Sequence, residues 1–145
     1  MIIMFQKQDP SFYAKLIRFW TRSKYAHCEV VFSDGTGYSA QAGKGVIRFQ
    51  AHPAMYPTSG WDAVLIETAL PLEQNAESFC SEEVGCSYDW LGVILTQVFG
   101  LRRESKDKWF CSELCLAALH KMGKYTKFPA YKYSPGALYK LLQRG

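Results

Sequence analysis

The sequence predicts a single α+β domain over residues 1–145, with strands gathered in its first half and helices in its second. Three observations carry that reading. Between residues 26 and 67, short runs such as Ala26 to Phe32 alternate with glycine- and proline-marked turns. From Pro71 on, apolar residues recur at helical spacing, interrupted by Gly85, Gly123 and Ser134-Pro135. A hydrophobic content of 48% with 15% aromatics supplies a core for a chain of 145 residues and argues against disorder.

In order, Met1 to Phe5 reads as a short buried strand. Asp9-Pro10 has the chemistry of a helix start, with Asp as N-cap and Pro in the first turn. That helix carries Phe12, Leu16, Phe19 and Trp20, with Lys15, Arg18 and Arg22 on other faces. Strands follow at Ala26 to Phe32, Tyr38 to Gln41, Val46 to Phe49 and Trp61 to Glu67, a predicted antiparallel meander or small barrel. His52 falls in a loop between Pro53 and the preceding strand. Helices are expected at Pro71 to Val84, Trp90 to Phe99, Cys111 to Met122 and Gly136 to Leu142. The third of these stops at Gly123, a suitable C-terminal residue.

Composition narrows the function classes. No run of about 20 apolar residues predicts a membrane-spanning helix. The apolar start ends at Phe5, unlike a secretory signal, so a cytoplasmic protein with reduced cysteines is expected. Cys80, Cys86, Cys111 and Cys115 match no common zinc spacing, and neither a metal nor an organic cofactor is expected. The net charge of +4 is unevenly placed: residues 101–145 hold ten Lys/Arg against three Asp/Glu. Such a basic segment suits a solvated face or an anionic partner. No zinc finger or RNA-binding signature accompanies it, which disfavours nucleic acid.

One stretch carries chemistry. Trp109 to Leu119 reads as a helix that begins abruptly at Cys111 after the charged segment Arg102 to Lys108. Unpaired N–H groups and the positive end of the helix dipole favour a thiolate in the first turn. A nucleophilic thiol needs a base, and the chain offers His27, His52 and His120. His120 lies nine residues along the same helix, about 13 Å away, too far for proton transfer. His27 sits on a strand expected to be central, which is the kind of rigid support a base requires. Strand alternation places Glu29 on the same face as His27, where a carboxylate can orient the ring, with Cys28 and Val30 on the other face. Cys115, one turn below Cys111 among Leu114, Leu116 and Leu119, reads as core. Cys111 itself also fits a small buried hydrophobe, so spacing alone leaves both readings open.

Two motifs tilt that balance. Ser23 to Gly35, with Tyr25-Ala26-His27-Cys28-Glu29 followed by Asp34-Gly35, resembles the histidine strand and turn of permuted NlpC-type papain-like cysteine hydrolases. Phe110-Cys111-Ser112-Glu113-Leu114 resembles their nucleophile helix, and Gly85 to Trp90 resembles the Tyr-Asp segment that precedes it. The group includes YiiX-like amidases and, more distantly, lecithin retinol acyltransferase-like proteins. In all of them the histidine precedes the cysteine, as His27 precedes Cys111 here. The resemblance covers roughly residues 20 to 120. It implies a papain-like fold, Cys111 as nucleophile and His27 as general base. Many relatives carry a second histidine twelve residues after the first, where this chain has Ser39. Glu29 is therefore the first candidate for the orienting role, with Ser39, Gln41 and Glu113 as alternatives and Tyr88 as a candidate oxyanion donor. The implied substrates are peptides, peptidoglycan fragments or acyl lipids, with a bacterial, phage or prophage source. Two other classes remain: a non-catalytic binding module on this fold, and a basic lipid- or nucleic-acid-binding protein.

Overall fold

A computed structural model describes residues 1–7, 10–51, 60–89 and 108–144. An antiparallel five-stranded sheet joins β1 (Ile2–Gln6), β2 (His27–Val31), β3 (Thr36–Gln41), β4 (Gly45–Gln50) and β5 (Trp61–Leu65) in the order β4-β3-β2-β1-β5. The helices are α1 (Phe12–Thr21), α2 (Leu70–Glu82), α3 (Cys111–Lys121) and α4 (Pro135–Leu142). Two short strands, β6 (Ser87–Tyr88) and β7 (Lys108–Trp109), pair in parallel.

The α+β class stands, and the simple meander does not. β1, β2, β3 and β4 lie side by side in chain order; β5 breaks it by crossing over to pair with β1, in register from Ile2↔Leu65 to Gln6↔Trp61. The N-terminal strand thus lies between β2 and β5, and the sheet ends at β4 and β5 instead of closing into a barrel among the described residues. Alternation explains why β1 can be interior. Ile3 and Phe5 are buried on one face, Met4 on the other.

The cap of α1 is Ser11, whose Oγ accepts from the Ala14 N–H at 3.2 Å. The helix therefore starts after the Asp9-Pro10 pair; Asp9, His52 and the expected helix Trp90 to Phe99 lie outside the described residues. The segment Gly85 to Asp89, read as a plain break, contains β6. It is fastened to β4 by two backbone bonds, Val46 N–H to the Cys86 carbonyl and Gly85 N–H to the Val46 carbonyl, both 2.9 Å. Gly45 permits this close approach. It has φ +75°, and a Cβ there would overlap the Cys86 carbonyl oxygen.

The main core lies between one face of the sheet and the helices. Phe5, Cys28, Val30 and Tyr38 meet Leu114, Cys115 and Leu119 of α3 and Leu138 of α4. Every residue of α3 from Cys111 to Leu119 is buried, as expected for a helix that is apolar or small all round. Its two polar residues in that run are Ser112 and Glu113; the Ser112 hydroxyl donates to the Tyr133 carbonyl at 2.5 Å. A smaller cluster of Met4, Val31 and Ala51, flanked by Ile2, Phe49 and Trp61, covers the other face. Glu73 of α2 accepts from the Ser33 N–H at 2.6 Å and the Ser33 hydroxyl at 2.9 Å, pinning that helix to the β2–β3 turn.

Candidate active site

Cys111 is the first residue of α3, and Phe110 before it supplies no side-chain cap to the helix N-terminus. The first-turn N–H groups therefore face the thiol region without an acceptor from that cap. α3 packs against β2, and this contact brings Cys111 to two consecutive residues, Cys28 and His27. Strand alternation puts Cys28 on the helix-covered face, in the core cluster that also holds Cys111 and Cys115. His27 shares the face of Glu29 by alternation, yet its ring is near enough to the Cys111 sulfur for the two to shift each other's protonation.

The strand ladder explains this meeting. β2 and β3 pair only at Val30↔Tyr38 and Val31↔Gly37. At Glu29, Cys28 and His27 no ladder to β3 separates the two faces. The imidazole lies beside this unpaired stretch. Its Nε2 lies 2.9 Å from Ser39 Oγ and 3.2 Å from Glu29 Oε1. With Nε2 engaged there, Nδ1 is the nitrogen left for the sulfur.

Both Glu29 and Ser39, the first candidate for the orienting role and its alternative, thus touch the same nitrogen. Their environments differ from solvent: Glu29 is 7% and Ser39 1% exposed. Gln41 stands on the wall of the adjoining cavity, without a recorded bond to the ring. Glu113 is buried on α3.

The electrostatics follow from these contacts. The Cys111 thiol is held well below its ordinary value, first by the hydrogen bond from Cys28 and then by the charge and hydrogen bond of His27, against the opposing effect of burial. Burial alone would lower the His27 value, but the Cys111 sulfur and the Glu29 carboxylate outweigh it and push it up to about 10. Both shifts favour a thiolate beside an imidazolium. Cys28 is driven the other way by burial and by its sulfur neighbours, so it stays a thiol that can donate. Tyr88 is likewise kept a phenol by burial and by the nearby Cys111 charge.

A cavity of about 640 Å3 adjoins the ring. His27, Glu29, Gln41, Trp61 and Tyr88 line it from the sheet side, and Ala14 and Ile17 of α1 from the other. Trp61 sets its ring edge-on to His27 at 6.5 Å between centroids. Cys111 is not among the described residues of the lining and is only 2% exposed.

Sequence reasoning missed Cys28 and Trp61 as site neighbours. Period-two alternation assigned Cys28 to the far face from His27, and nothing in the pattern signals that the ladder opens there. Tyr88 could be found through the Tyr-Asp segment. Among the described residues no cluster of His, Cys, Asp or Glu is arranged to hold a metal ion. No helix is long and apolar enough to cross a membrane, among the described residues. No family model matches the chain, and neither does any curated protein.

Proposed function

We propose that the protein is a cysteine hydrolase of amides or esters, an amidase or peptidase with a permuted papain-like fold. The observation that carries this reading is the imidazole of His27, held at Nε2 by Ser39 and Glu29 and close enough to Cys111, the first residue of α3, for the two to shift each other's protonation. In this reading the Cys111 thiolate attacks the carbonyl carbon, forming a C–S bond and a tetrahedral oxyanion. The N–H groups at the start of α3 serve as donors to that oxyanion, with the Tyr88 hydroxyl as a further candidate. Collapse expels the amine or alcohol, which takes the proton from the His27 imidazolium. Neutral His27 then deprotonates water, whose attack on the thioester releases the acid and restores thiolate and imidazolium.

The cavity between α1 and the His27 end of the sheet is the proposed substrate site. Its apolar wall and its few polar groups suit a peptide, a peptidoglycan fragment or an acyl lipid. The deciding experiment is intact-mass detection of an acyl adduct after incubation with a panel of muropeptides, acyl lipids and peptide amides. An adduct on wild type that is absent from Cys111→Ala supports the proposal. Adduct formation that survives this substitution rejects it.

A further inference from the structure

The basic C-terminal segment plays no part in the chemistry above, and it encloses a second cavity. From Leu114 to Gly145 the chain has six Lys/Arg and no Asp or Glu. In this region a cavity of about 490 Å3 is lined by Tyr125, Phe128, Tyr133 and Leu141, with Lys140 and Arg144 beside them. The rings contact one another: Tyr125 to Phe128 at 6.4 Å and Phe128 to Tyr133 at 6.0 Å between centroids. Lys140 and Arg144 are four residues apart, so they share one side of α4 and its C-terminal end. Both are exposed, and neither forms an ion pair with a described carboxylate.

We propose that this cavity binds an anionic amphiphile, with its apolar body against the three rings and its phosphate or carboxylate on Lys140 and Arg144. The charge sets the sign of the ligand. Two cations beside an apolar pocket with no acidic residue among its described lining disfavour an ammonium guest and favour an anion. The rings and Leu141 set the body, because inorganic phosphate would leave that apolar surface in water. The volume is that of a small-molecule site.

The site has a direct structural link to the nucleophile helix. Tyr133 lines it with its ring, and its carbonyl accepts from Ser112, the residue after Cys111. The proposal stands apart from the hydrolase reading, since the two cavities share no lining residue among those described.

Isothermal titration of the full chain tests it with four probes below their micelle-forming concentrations: dodecyl phosphate, dodecyl maltoside, dodecyltrimethylammonium and inorganic phosphate. Dodecyl phosphate should bind, and the other three at least roughly tenfold more weakly. Lys140→Ala with Arg144→Ala should remove the preference for the anion, again by roughly tenfold, and Phe128→Ala should weaken dodecyl phosphate while leaving folding intact by circular dichroism. Short-chain phosphatidic acid and dodecanoate distinguish a lipid headgroup from a simple fatty anion as the natural source. Equal binding of the neutral detergent, binding of inorganic phosphate alone, or an unchanged affinity in the double variant would overturn the proposal.

Discussion

Two neighbouring strand pairs of the same sheet behave differently. β3 and β4 remain paired along six positions, from Thr36↔Gln50 to Gln41↔Gly45, whereas β2 and β3 pair at only two. The continuous ladder satisfies its own backbone groups and keeps its two faces apart. The short one stops before Glu29, Cys28 and His27, and the side chains of the candidate site gather along that unpaired stretch, with Glu29 and Ser39 on the His27 ring.

The largest effect should come from the sulfur itself. Cys111→Ala is expected to abolish turnover and selective alkylation with little change in Tm, while Cys115→Ala costs about 1–2 kcal/mol of stability through lost packing and leaves alkylation in place. Intact-mass labelling and thermal melts separate these outcomes. Unchanged labelling of the Cys111 variant would place the reactive thiol elsewhere.

Next comes the fastening of β6 to β4. Gly45→Ala forces a Cβ into the Cys86 carbonyl at a positive φ, and should destabilise the fold by about 3 kcal/mol. Denaturant titration measures this. A neutral result would mean that the Gly85 to Tyr88 segment is not held against β4 in solution.

The ion pair predicts a pH profile. Wild-type Cys111 should react with iodoacetamide well below pH 8, because its thiolate persists at low pH beside His27. His27 is raised from 6.5 to about 10, so its protonation stabilises the fold fully below pH 6.5, and that contribution is lost as pH rises through about 10. For Cys111 the sign is opposite: its contribution is present above the unfolded thiol value and lost as pH falls through the depressed one. Glu29→Gln removes a group that raises His27, and should bring the alkaline limb down by about one pH unit. An alkaline limb that stays in place would remove Glu29 from the orienting role.

The smallest effect is expected at Ser39. Ser39→Ala deletes one neutral contact to Nε2, worth about 1 kcal/mol, and should lower the rate several-fold without moving the pH limbs. A shift of those limbs larger than that of Glu29→Gln would reverse the order of the two partners.

Much of the site was legible before any coordinates. Cys111 was expected at a helix start because a charged run gives way to an apolar and small-residue one, and α3 begins at that residue. His27 was chosen over His120 by distance along the helix, and Glu29 by alternation; both meet where expected. Asp9 as a cap failed because Ser11, two residues on, offers a hydroxyl to Ala14. The four-strand meander failed because β5 pairs with β1, and strand adjacency across 55 or more residues leaves no local pattern to read.

The sequence by itself determined which segments are helix or strand and which side chains have the chemistry of nucleophile and base, since propensity, capping and alternation are local. The tertiary structure alone decided that β1 lies inside the sheet, that Cys28 shares the site, and that β2 and β3 separate beside His27. Those outcomes depend on how α3 packs against the sheet and which strands find each other. They are set by burial summed over the whole core, which no single stretch of the chain encodes.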